Sequence, residues 1–224
     1  MLLYGDKDKQ NSIEMIAKRI EKCEKCPLYL TRTNTVPGSG NVESPIMFVG
    51  EGPGADEDAM GEPFVGRAGQ LLEKMLQEKA KIERKDVFIT NIVKCRPPQN
   101  RVPTEEEVKS CQSYLDAQII VIQPKIIVTL GNTPLNYFTG ENKITQSRGR
   151  FFDWYGEIKI FPTFHPSYLL RNQSQKNGSP RWFAYLDMTV IGLMYRKLKK
   201  GDKISEVAKT IEKRIKSIEQ SGGV

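Results

Sequence analysis

The chain is poor in several things at once. It has no run of roughly 18 apolar residues, which excludes an apolar helix that spans a membrane. Charged Asp6, Lys7, Asp8 and Lys9 interrupt the N-terminus before an apolar leader can form, so the expectation is a cytoplasmic chain without a secretory signal. In that reducing compartment its four cysteines argue against a disulfide framework and for metal or redox chemistry. The glycine-rich segment Gly50-Glu51-Gly52-Pro53-Gly54 is followed by an acidic run and by no Gly-Lys-Ser/Thr, which excludes a phosphate loop. Pro53 and the same acidic residues also break the dinucleotide pattern G-x-G-x-x-G. Internal repeats and low-complexity stretches are missing. There is a single histidine, His165, in 224 residues, so imidazole chemistry can occur in one place only.

What is present is a basic balance: 34 Lys and Arg against 27 Asp and Glu, net +7. That favours a polyanionic partner and says nothing of the fold. The length suits one well-buried core. Short apolar runs at residues 45–49, 86–93, 125–130 and 157–164 read as strands, the last paired with residues 151–155. Helical spacing alternates with them: from an Asn11 or Ser12 cap to about residue 22, then 68–80, 104–122, a short helix after Gly131, 181–198 and 203–219. Residues 31–44 read as loop and 221–224 as a loose tail. The pattern predicts an α/β fold of three α/β/α layers, in which residues 1–200 form one domain and 201–224 a charged C-terminal helix with its tail.

The chemistry-bearing residues fall where strands end. Gly50 to Gly54 leaves the first strand, where glycines allow a close backbone approach or simply a tight turn. Phe64 lies in a loop between Pro63 and Gly66, as a core anchor or a stacking platform. Asn91 nears the end of the second strand, where a buried amide either locks the fold or reads a ligand's donors and acceptors. Pro166 stops the last strand and leaves His165 at its exit, the usual ligand position of an open α/β sheet. Ser167, Leu169, Leu170 and Arg171 follow on what reads as one short loop. Apolar side chains beside a cation suit a loop pressed into a polyanion with an apolar interior; a hydrogen-bonded loop histidine is the simpler alternative.

Cys23 and Cys26 form a C-x-x-C, and 68 residues later Cys95 and Cys111 form a C-x15-C. Two paired thiolates with two more on a loop and a capped helix make a four-thiolate site. Zinc and an iron–sulfur cluster share such ligands, and spacing does not separate them.

Taken together, Gly50-Glu51-Gly52-Pro53-Gly54, the segment Thr90-Asn91-Ile-Val-Lys-Cys-Arg-Pro-Pro98, and His165-Pro-Ser-Tyr-Leu-Leu-Arg-Asn172 resemble the motifs of family 4 uracil-DNA glycosylases. The likeness runs from about residue 23 to 198 and includes the cysteine spacing. It implies a four-stranded parallel sheet between helices and a [4Fe-4S] cluster on Cys23, Cys26, Cys95 and Cys111, with zinc as the lesser occupant. It also implies removal of uracil from single- or double-stranded DNA by a monomer, in base-excision repair of a thermophilic type, with a sliding clamp as a possible partner of the charged C-terminal region.

In that setting Asn91 would read uracil, Phe64 would stack on it, and His165 would donate to O2 as charge builds there. Leu169 would fill the gap left in the base stack, with Leu170 beside it and Ser167 and Arg171 near phosphates. Where family 1 enzymes carry an aspartate this chain has Gly52, leaving Glu51, backbone groups or only a weakly held water. Gly54 replaces a bulky residue, and Glu57 is the candidate to exclude thymine's methyl group. Two other classes keep only part of these features: a non-catalytic DNA-binding iron–sulfur protein and an electron-transfer protein.

Overall fold

A computed structural model describes residues 6–220. Its centre is a sheet of six strands: β1 (Ser39–Gly40), β2 (Ile46–Gly50), β3 (Phe88–Asn91), β4 (Ile126–Leu130), β5 (Phe152–Asp153) and β6 (Lys159–Thr163), in the order β1-β3-β2-β4-β6-β5. The inner four, β3, β2, β4 and β6, are parallel, as the resemblance implies. The two-residue edge strands β1 and β5 are antiparallel additions, and β1 lies inside the segment read as loop. Short edges leave few unpaired backbone groups for another chain to join.

The inner strands read as unbroken apolar runs because both of their faces are covered. Ile46, Phe48, Ile126, Val128 and Phe161 turn to one face, while Met47, Val49, Ile127 and Ile160 turn to the other. The first face packs against α3 (Arg67–Met75), α8 (Pro180–Lys199) and α9 (Ile204–Gln220). The second packs against α1 (Asp6–Glu21), α4 (Glu105–Ile122) and Phe138 of α5 (Asn132–Thr139). Short helices α2 (Ala55–Met60), α6 (Ile144–Ser147) and α7 (Pro166–Arg171) fill strand exits.

Several boundaries differ from expectation for local reasons. Helix α1 begins at least six residues before Ser12, whose hydroxyl bonds back to the Asp8 carbonyl instead of capping. The α-helical part of α3 ends at Met75 and one π turn, Leu76–Ala80, continues it. The capping box that opens α4 is as expected, with Thr104 Oγ1 accepting from the Glu107 N–H and the Glu107 carboxylate accepting from the Thr104 N–H. Val207, Ile211 and Ile215 of α9 join the core, so its apolar face is used within the chain; residues 221–224 lie outside the described residues. Among the described residues no helix is long and apolar enough to cross a membrane.

The chain runs from β2 to β3 on one side, then crosses to β4 on the other. The carboxyl ends of β2, β3, β4 and β6 therefore open a crevice at the point where strand order reverses, the natural ligand site of such a sheet.

Candidate active site and four-cysteine centre

The crevice is a cavity of ≈ 900 Å³. Each strand end contributes: Glu51, Gly52 and Gly54 after β2, Asn91 at the end of β3, Gly131 after β4, and His165 after β6. Phe64 enters from the α2–α3 connection, so the three expected site residues Phe64, Asn91 and His165 line one cavity. The Phe64 and His165 rings lie 5.8 Å apart, centroid to centroid. Gly50 makes the close approach possible, since a Cβ there would sit 2.4 Å from Asn91 Oδ1 and 2.6 Å from the Phe64 ring. Asn91 is 1% exposed, and its Oδ1 has no hydrogen-bond partner. A buried acceptor left open costs about 1–3 kcal/mol, a cost recovered only when a donor arrives.

His165 Nδ1 accepts from the Ser167 main-chain N–H at 3.1 Å, and the Ser167 hydroxyl lies 2.7 Å from the same nitrogen. A main-chain N–H can only donate, so the neutral ring carries its proton on Nε2. Burial, with Arg171 nearby, pushes the His165 pKa from 6.5 down to about 4, and the ring is neutral at pH 7. Glu51 is held by the Thr133 hydroxyl, which donates to its Oε2. Exposed Arg67, Lys143 and Arg171 stand at the mouth. Arg101 is there too, with its guanidinium paired to Glu107.

The second centre is different in kind. Cys23 and Cys26 follow α1, Cys95 follows β3, and Cys111 lies on α4; all four line one small cavity and none is disulfide-bonded. Burial raises the Cys26 and Cys95 thiols and pushes Cys111 up to about 11. Binding a metal there must therefore displace protons. Arg32 donates to Cys95 Sγ at 3.2 Å and the Lys94 N–H donates to Cys111 Sγ at 3.3 Å, contacts that favour thiolates. Among the described residues no three His, Cys, Asp or Glu side chains converge tightly enough for a single metal ion.

Between the centres lies Lys94, fully buried, with Nζ bonded to Thr90 Oγ1 (2.6 Å), the Asn91 carbonyl (2.8 Å) and Gln118 Oε1 (2.8 Å). Burial lowers its pKa to about 7. The same residue thus touches the end of β3 and the sulfur cavity.

Comparison with known proteins decides the family. The profile described as the Uracil DNA glycosylase superfamily matches residues 37–189. A Type-4 uracil-DNA glycosylase of Thermotoga maritima is 53% identical over 170 residues, covering 75% of this chain and 88% of that protein. One from Sulfurisphaera tokodaii is 51% identical, over 72% and 77% respectively, and one from Archaeoglobus fulgidus 45%, over 71% and 83%. The chain belongs to the uracil-DNA glycosylase superfamily.

The segment after His165 is a helix and not the loop expected. Leu169 is not at a loop tip: residues Pro166–Arg171 form α7, and Leu169 is fully buried in the core. Pro166 at the first helical position starts that helix. Leu170 is half-buried against the same core, leaving Tyr168, 37% exposed and stacked on Phe164, as the exposed apolar side chain of this segment in the cavity lining. Ser167 lines the crevice with its hydroxyl on His165 Nδ1. Glu57 does line the cavity, yet its carboxylate is occupied by the N–H groups of Gly54, Val65 and Gly66. It fills the space that a Gly54 side chain would need, since a Cβ there would meet Glu57 Oε2 at 2.7 Å.

Sequence reasoning missed Lys94, Thr133, Arg32 and Arg84. The first carried a signal: a lysine between buried strand residues and a cysteine has to find partners inside.

Proposed function

We propose that the protein removes uracil from DNA, by hydrolysis of the N-glycosidic bond, after the nucleotide swings out of the strand into the crevice. The observation that supports this most is the common cavity of Phe64, Asn91 and His165, with a buried acceptor open on Asn91. Asn91 Oδ1 suits the N3–H of uracil, whereas cytosine presents an acceptor at N3 and leaves the amide unmatched. Phe64 offers its face to the ring. As the C1′–N1 bond breaks, its electron pair moves into the base and negative charge builds on O2. The Nε2–H of a neutral, preorganised His165 stabilises that charge without full proton transfer. Water then adds its oxygen to C1′, and Glu51, held by Thr133, is the group placed to orient it and take up its proton. Glu57 walls the side that Gly54 leaves open, as the barrier to a 5-methyl group.

Arg67, Lys143 and Arg171 would meet the phosphates, and the stacked Tyr168 takes over from Leu169 as the side chain facing the base stack. Cys23, Cys26, Cys95 and Cys111 would hold a [4Fe-4S] cluster: the four cysteines line one cavity, none is disulfide-bonded, and the Arg32 guanidinium and the Lys94 N–H donate to two of the sulfurs. That group would tie α1 to α4 and the β3 exit, and no step of the base chemistry passes through it.

The test is release from uracil-containing oligonucleotides, single-stranded and duplex. Free uracil and an alkali-labile abasic strand are expected; bound but intact DNA would make the chain a DNA-binding member without this activity.

A further inference from the structure

Phe64 has φ 54°, a left-handed backbone that an aromatic residue adopts only when its surroundings impose it. The grip comes from two charges of opposite sign. On one side the Glu57 carboxylate accepts from the N–H groups of Val65 (3.0 Å) and Gly66 (2.9 Å). On the other, Arg84 donates from Nη1 to the Phe64 carbonyl at 3.0 Å and from Nη2 to the Pro63 carbonyl. The Phe64 carbonyl lies so close to α3 that a Cβ on Gly69 would be 1.8 Å from it. Arg84 itself lies 20 residues away in the chain, in the 3-10 turn Arg84–Asp86 before β3, and lines a separate shallow cavity with Ser39, Glu73 and Lys85.

We infer that Arg84 is a positioning residue of the pyrimidine site. Its planar fork pins two successive carbonyls and so presets the plane of the Phe64 ring before any base arrives. A lysine carries its donors on a single ammonium nitrogen and cannot reproduce the planar, two-nitrogen grip on both carbonyls. This rests on the proposed function and deepens it, because the platform Arg84 sets is the one on which uracil would stack.

The experiment measures single-turnover and steady-state uracil release for Arg84→Ala, Arg84→Lys and, as control, the neighbouring exposed Lys85→Met. Arg84→Ala is expected to lower kcat about 10- to 100-fold, the range for a displaced reactive pose, with KM changed far less. Arg84→Lys should recover little, added guanidinium should restore part of the Arg84→Ala rate, and Lys85→Met should match the parent. In a Phe64→Leu background, Arg84→Ala should cost little more. Full activity of Arg84→Ala, or a loss that multiplies unchanged onto Phe64→Leu, overturns the inference. Should Arg84→Ala fail to fold, Arg84→Lys decides by the same cycle. A parent protein that releases no uracil sinks the proposed function instead, which separates the two failures.

Discussion

The crevice and the sulfur cavity lie on either side of Lys94 and are built on opposite plans. In the crevice, polar groups are held by one neighbour or left without one: Ser167 holds His165, Thr133 holds Glu51, and Asn91 Oδ1 has no hydrogen-bond partner. In the sulfur cavity four cysteines line one small space, and the donors that reach two of the sulfurs, Arg32 and the Lys94 N–H, come from the surrounding chain. The first plan suits a ligand that comes and goes. The second suits a resident group that stiffens the scaffold, with its loss felt at a distance. One has a rim of exposed Arg67, Lys143 and Arg171; the other is lined by the end of α1, the segment after it, the β3 exit and α4.

The sharpest way to break that contrast is to disable one centre and watch the other. His165→Ala should slow uracil release about 10²–10³-fold, as loss of a charge-stabilising donor does, while DNA binding and the brown colour expected of the proposed iron–sulfur cluster persist. Turnover at the parent rate would remove His165 from the chemistry. Cys95→Ser should act the other way round: iron and sulfide content fall and the melting temperature drops. Release should decline only as far as the β3 exit loosens. A colourless but equally heat-stable variant would refute the tie between α1 and the sheet.

The pH response is a finer probe. Because the folded His165 pKa is lowered to about 4, the neutral ring required for release is kept on acidification; release should stay within about twofold between pH 7.5 and 5.5 and fall only as pH nears 4. A rate that climbs below pH 6.5 would mean an imidazolium does the work. The same shift bears on stability. The unfolded ring binds a proton that the folded ring refuses, so its contribution is present above pH 6.5 and is lost as pH falls through about 4. The smallest effect is expected at the rim, where Arg171→Ala should weaken DNA binding evenly across sequences and lower the salt slope by about 1. An unchanged slope would place Arg171 away from phosphate.

How much of this was legible in the sequence depends on the kind of interaction. The parallel strands were readable because burial on both faces writes continuous apolar runs such as Ile46 to Val49. The cysteine set was readable from spacing, Asn91 and His165 stood out by their places at strand ends, and Phe64, in the loop before α3, was picked out by its setting between Pro63 and Gly66. Leu169 was misjudged because a helix of one to two turns, started by Pro166, turns that side chain inward, and so short a period leaves no signature. The start of α1 was misplaced because Ser12 resembles a cap but bonds to the turn before it. Arg84 and Thr133 were invisible for a deeper reason. Their partners are main-chain carbonyls and a carboxylate brought near by topology, and such contacts impose no pattern on the residues between.

The central claim is that one swung-out pyrimidine is recognised by Asn91 while the platform and the imidazole hold it. Its most direct test is release of uracil and of cytosine from otherwise identical strands by the parent and by Asn91→Asp. The account predicts that the parent frees uracil alone and that the variant loses rate on uracil and gains measurable cytosine release. Undiminished preference for uracil in the variant would contradict it.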